Sequence, residues 1–215
     1  ALAAEKMKLT SDKEKLGYSI GYVSGMNLKQ DGVDVSAEQL ARGVRDGYSG
    51  KKGIMSDDEI KAVLTAYEEK LRAKQAEQLK KAGEANKKAG DAFLAENKKK
   101  PGVVTLPSGV QYKEIKAGTG KQPKASDSVK VHYTGTLTDG SEFDSSRNQP
   151  QPATFKVDGV IKGFSEVLQL MKEGARWQVV IPAELAYGER GVGDMIGPNQ
   201  TLIFDIELLE VIAQK

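Results

Sequence analysis

With 215 residues, 32 Lys and Arg against 30 Asp and Glu, and no cysteine, the chain is long enough for two domains of about 100 residues each. The missing thiols exclude disulfides, thiolate metal sites and cysteine nucleophiles, and the mixed charge lacks the clustered basic face of a nucleic-acid binder. No apolar stretch approaches the roughly 18 residues needed to cross a bilayer, and Ala1-Leu2-Ala3-Ala4 lacks the basic and apolar regions of a signal peptide, although small residues are also what signal cleavage would leave.

Three helices are expected in the first half. After Ser11-Asp12 as a cap candidate, Leu16, Ile20 and Val23 recur at helical spacing while Gly17, Gly21 and Gly25 fall four apart on an adjoining face. Glycine is about 1 kcal/mol less favourable than alanine inside a helix, so the stripe predicts close approach of another helix backbone. A second helix is expected from Ser36, with Gln39 closing a capping box, to near Gly47, and a third from Ser56, with Glu59 closing another.

From Asp57 to Lys99 the chain has no proline and is dominated by good helix formers, a rod of about 65 Å if fully helical. Ile60, Val63, Leu64, Tyr67 and Leu71 give its first part an apolar face, but between Arg72 and Asp91 only Leu79 and scattered alanines remain. That pattern predicts a solvent-bridging spacer, with Gly83 and Gly90 leaving room for a kink or fraying. Lys98 to Lys100 read as a solvated helix end, stopped by Pro101-Gly102. The expected division is a helical unit over 1–56, a connecting helix over 57–100 and a second domain over 103–215. Because the helical unit carries more apolar surface than one copy can cover, a homodimer through these helices is expected.

The second half changes period from 3.6 to 2. Val129, Val131 and Tyr133, then Trp177, Val179 and Ile181, then Leu202, Phe204, Ile206 and Leu208 alternate with residues of the opposite face, as half-buried strands do. Phe164, Val167, Leu168 and Met171 give one short amphipathic helix, with Gly163 before it and Gly174 after it. An α+β class follows: an antiparallel sheet wrapped on one short helix, preceded by an all-α arm.

Acid-base and covalent chemistry have few candidates. His132 is the single histidine, and strand alternation points it toward solvent, so neither a catalytic triad nor a transition-metal site is expected. The glycine-rich loop from Gly188 to Gly197 lacks the ending and setting of a phosphate loop. No cofactor and no metal are expected. Taken singly, Phe143 and Phe204 read as core, Asp144 as a turn residue and Tyr187 as a turn anchor.

Their joint pattern is more specific. VHYTGTLTDGSEFDSS, GVIKGF, IPAELAYGERG and LIFDIELLEV occur in that order, and together they resemble the catalytic domain of FKBP-type peptidyl-prolyl isomerases across 103–215. The helical half is similar to the dimerisation arm of the macrophage infectivity potentiator family and its periplasmic chaperone relatives. The resemblance implies a peptidyl-prolyl cis-trans isomerase, with added chaperone activity from a dimeric arm whose long helices diverge. Proline-containing polypeptides would be its clients, macrolides of the rapamycin class its inhibitors, and the periplasm or outer membrane of a Gram-negative bacterium its location.

The same resemblance assigns residues. Phe164 would floor the pocket, with Tyr133, Phe143 and Phe204 as walls around the prolyl ring. The Ile161 amide, beside Val160, would bind one substrate carbonyl and the Tyr187 phenol another. Asp144 would act near the twisting bond, and Ile196 would sit on a flap after Tyr187. The family more often has tryptophan where Phe164 stands. A further wall aromatic falls at Ala153, with Phe155 expected in the core, as is Trp177.

Overall fold

The structure, a computed structural model, describes residues 8–213, so the Ala1–Ala4 start lies outside the described residues. Contacts group the chain into one unit ending at Glu68 and a second beginning at Glu69.

The first unit is helical: α1 spans Asp12–Gln30, α2 Ala37–Tyr48, and α3, which continues into the second unit, Asp57–Asn97. Each start has a serine that accepts from an otherwise unpaired backbone N–H of the first turn. Ser11 forms a reciprocal box with Glu14, and Ser56 forms one with Glu59. At Ser36 the box is one-sided: Ser36 accepts from the Gln39 N–H at 3.3 Å, and the Gln39 side chain makes no return bond. Leu16, Ile20 and Val23 are 63, 60 and 54% exposed, and a Cβ added at Gly17, Gly21 or Gly25 would meet nothing within 4 Å among the described residues.

The second unit is an antiparallel sheet on one helix. Its strands are β1 Val103–Thr105, β2 Gln111–Lys116, β3 Ser128–Leu137, β4 Glu142–Ser145, β5 Ala153–Lys156, β6 Arg176–Ile181 and β7 Leu202–Ile212. They run in the order β1-β2-β6-β7-β3-β4, with β5 also paired to β3. The helix α4, Lys162–Leu168, buries Phe164, Val167 and Leu168 against the face formed by Val129, Val131, Val179, Ile181, Phe204, Ile206 and Leu208. Gly163 lies inside the first turn of α4 rather than before it. A Cβ there would sit 2.4 Å from Ile181 Cγ2, so the missing side chain is what lets α4 approach β6.

The last four turns of α3 correct the spacer expectation. α3 is unbroken through both glycines, and Gly83, Gly90 and Asn97 are buried. Asn97 Nδ2 donates to Gln111 Oε1 at 2.9 Å, and Gln111 Nε2 donates to the Leu94 carbonyl at 3.0 Å. Val180, alternating away from Val179 and Ile181, is nevertheless 2% exposed. The apparent all-polar face of α3 thus concealed small residues that let its backbone lie close to the sheet domain.

Candidate active site

β3 is the strand on which the site is assembled. Pairing with β4 places Asp144 opposite Gly135, and pairing with β7 places Phe204 opposite the same glycine. A Cβ at Gly135 would lie 2.5 Å from Phe143 Cζ and 2.9 Å from Phe204 Cε1, so the two rings meet over a backbone that only glycine leaves open. Phe143 and Phe204 then pack edge-to-face, with centroids 5.6 Å apart at 87°. Phe204 makes a second such contact with Phe164 at 5.2 Å and 86°, the arrangement that ring quadrupoles favour.

These rings bound an open recess of about 500 Å³ lined by Tyr133, Phe143, Asp144, Phe155, Gly159, Val160, Ile161, Phe164, Tyr187 and Phe204. Four of the five phenylalanines of the chain therefore face one cavity. Phe164, on the first turn of α4, is 4% exposed and contacts Tyr133, Phe155 and Phe204 edge-on or nearly so. Val160 and Ile161 precede α4, and the Ile161 carbonyl accepts from the Phe164 and Ser165 amides at 3.0 Å. The Ile161 N–H has no acceptor among the described residues, which leaves it available to a ligand.

Two polar groups mark the rim. The Tyr133 hydroxyl donates to Asp144 Oδ2. Burial, then the Asp144 hydrogen bond and charge, hold the Tyr133 phenol well above its ordinary range, so it remains a proton donor. Tyr187, 39% exposed, lies on the loop after β6, and its phenol makes no hydrogen bond with described residues.

Three residues lie elsewhere than their sequence pattern predicts. Phe155, expected in the core, lines the cavity and contacts Tyr133 at 5.6 Å, while Ala153 does not line it. Phe155 reaches the cavity because β5 pairs with β3, Ala153 opposite Val131 and Phe155 opposite Val129, which puts both residues on one face of the sheet. Ile196 does not line the recess. It is 5% exposed and packs in the core, where it pairs with Val192 across a short bridge. His132 is half-buried rather than solvent-directed, because the turn after β4 brings Ser146 Oγ to 3.3 Å from its Nδ1. Ser146, itself buried, accepts from the Tyr133 N–H at 2.8 Å and so anchors the strand beneath the site. Trp177 is core, stacked on Tyr112 at 4.1 Å.

The site is thus an aromatic recess with hydrogen-bonding edges, set in an antiparallel sheet folded around one helix. The family model described as FKBP-type peptidyl-prolyl cis-trans isomerase matches residues 119–209, and that of the domain amino terminal to it matches 13–113. Outer membrane protein MIP of Legionella longbeachae is 52% identical over 209 residues, covering 97% of this chain and 90% of the relative. FkpA of Escherichia coli K12, named an FKBP-type peptidyl-prolyl cis-trans isomerase, is 38% identical over 216 residues, covering 97% and 79%. The crystal structure of FkpA from Escherichia coli superposes with a TM-score of 0.78 at 37% identity, over 95% of this chain and 99% of that one. The chain belongs to the FKBP-type peptidyl-prolyl cis-trans isomerase family, with the Mip and FkpA proteins among its relatives, and is an enzyme of that activity.

Proposed function

We propose that the recess between β3, β4, β5, β7 and α4 is where the prolyl bond turns, with Phe164 beneath the ring and Tyr133, Phe143, Phe155 and Phe204 around it. The Ile161 N–H and the Tyr187 phenol hold substrate carbonyls, and Asp144 acts at the twisting amide. The observation that carries this reading is one cavity bounded by five aromatic rings and edged by two unsaturated donors.

The chemistry needs no proton transfer and no adduct. Rotation about an amide is opposed by partial double-bond character, a barrier of about 18–20 kcal/mol. At the twisted midpoint resonance is lost and charge separation falls, so a water-poor apolar wall favours that state over the planar one. A millionfold acceleration needs about 8 kcal/mol of such preference, which shape, desolvation and a few hydrogen bonds can supply.

The experiment is exchange of cis and trans populations of a proline peptide, followed by NMR with and without a macrolide of the rapamycin class. Enzyme-catalysed exchange suppressed by the macrolide supports the assignment, and full exchange with the macrolide bound in the recess would refute it.

The apolar residues left exposed on α1 and α3 favour a second role beside the first. In this reading, residues 1–56 form a homodimerisation domain, 57–100 a connecting helix whose last four turns pack on the sheet domain, and 103–215 the isomerase domain, and the dimeric arm adds chaperone activity toward unfolded proline-containing clients. The envelope-related name of the Legionella relative and its Gram-negative company support a periplasmic or outer-membrane-associated location. No helix among the described residues is long and apolar enough to cross a membrane. Suppression of aggregation by a Tyr187→Phe variant with impaired isomerisation would show the two roles to be separable.

A further inference from the structure

The loop that carries Tyr187 is held by α3 on both sides. Before Tyr187, Glu184 Oε1 lies 3.7 Å from Lys87 Nζ. After it, Asn86 Nδ2 donates to the Pro198 carbonyl at 2.9 Å, and Asn199 Nδ2 donates to the Gly83 carbonyl at 3.3 Å. Asn199 also returns to the beginning of the loop: its backbone N–H donates to the Gly188 carbonyl at 2.8 Å, one residue from Tyr187. Its φ of 55° is a left-handed value that asparagine tolerates better than most residues.

On the helix side, residues 83, 86, 87 and 90 share one face. Glycine is a poor helix-interior residue, yet it stands at both ends of this face, and the contacts explain why. A Cβ at Gly90 would lie 2.3 Å from Thr201 Oγ1, and one at Gly83 would lie 3.2 Å from Asn199 Nδ2 and 3.3 Å from Pro198 Cβ. The helix backbone therefore sits directly on the returning arm of the loop. Since the Tyr187 phenol makes no hydrogen bond of its own with described residues, the backbone on either side decides where it lies.

We propose that the Gly83–Gly90 face of α3, acting through Asn199 and Gly188, is a positioning element for Tyr187 that sets the efficiency of isomerisation without touching substrate. The proposal rests on Tyr187 being a substrate hydrogen-bond donor. The coupling route is short: the Asn199 side chain donates to the helix carbonyl of Gly83, and the Asn199 backbone N–H donates to the carbonyl of Gly188, the residue after Tyr187. The last turns of α3 then form part of the catalytic apparatus rather than a link to it.

The test uses the full chain with Asn86→Ala, Asn199→Gly and Tyr187→Phe, alone and combined. Asn199→Gly keeps the left-handed backbone and the N–H to Gly188 while deleting the amide that reaches α3, so it spares the loop fold. Asn86→Ala and Asn199→Gly are each expected to lower kcat/KM on a proline tetrapeptide about fivefold, the rate equivalent of roughly one hydrogen bond. Exchange of the backbone amide at position 199, which donates to the Gly188 carbonyl, should quicken in both. In the Tyr187→Phe background these losses should largely vanish, because groups acting through one another are not additive. Full activity in both helix-contact variants beside an impaired Tyr187→Phe would overturn the positioning role alone, as would strictly additive losses. Full activity of Tyr187→Phe would overturn the role given to Tyr187 and the proposal with it.

Discussion

The Tyr133 hydroxyl donates to the Asp144 carboxylate across the β3–β4 pairing, and both groups line the aromatic recess. Each therefore restrains the other at the wall of the recess. Removing the acceptor with Asp144→Ala is expected to lower kcat/KM about tenfold, in line with one charge-assisted hydrogen bond discounted for solvent exposure. Tyr133→Phe should lose less, since the ring and its contacts remain. The double variant should fall short of the product of the two losses. A tetrapeptide isomerisation assay on the three proteins measures this, and independent effects would show that the pair does not act as a unit.

Gly135→Ala tests whether the recess depends on an absent side chain. The added methyl would press on Phe143 and Phe204, which it would meet at 2.5 and 2.9 Å. Overpacking of this kind destabilises by about 1–3 kcal/mol, visible as a lowered denaturant midpoint at unchanged slope. Macrolide affinity should fall with it, because the two rings cannot both keep their places.

Glu173 should contribute to the acid sensitivity of the second unit. The backbone N–H of Val211, then that of Lys121, hold its carboxyl below the ordinary value of 4.5. A group lowered in the fold contributes stability that is complete above its unfolded value and lost as pH falls through the native one. The thermal midpoint should therefore decline on acidification below about pH 4.5. Glu173→Gln should begin lower at neutral pH and lose less over the same range. Glu14, held down to about 2 by N–H groups of Ser11 and Thr10, keeps its bonds at the α1 cap until pH falls toward that value.

Sedimentation should give a mass near twice 23.2 kDa if the apolar face of α1 is covered by a second copy. Ile20→Asp, placed where the side chain is 60% exposed in one chain, should yield the single-chain mass while leaving isomerisation of a short peptide intact. A wild-type protein sedimenting as one chain would remove the dimer from the account.

Much of the fold was legible because burial imposes a period on the chain that buries. Val129, Val131 and Tyr133, then Leu202 through Leu208, alternate with period two, and Phe164 through Met171 repeat at helical spacing, so β3, β7 and α4 follow from residue order. The cluster of Tyr133, Phe143, Asp144, Val160, Ile161, Phe164, Tyr187 and Phe204 at one cavity was anticipated from four blocks in order, each of which alone would read as core or turn. β5 was missed because four residues are too few to establish a period, and Phe155 was misplaced with it. What tertiary structure alone decided were contacts between residues far apart in the chain: Asn86 with Pro198, Gly83 with Asn199, Gly90 with Thr201. Periodicity records which side of an element is buried by its neighbours' bulk. It is silent where burial is made by glycine, which lets two backbones meet and contributes no apolar side chain to the pattern.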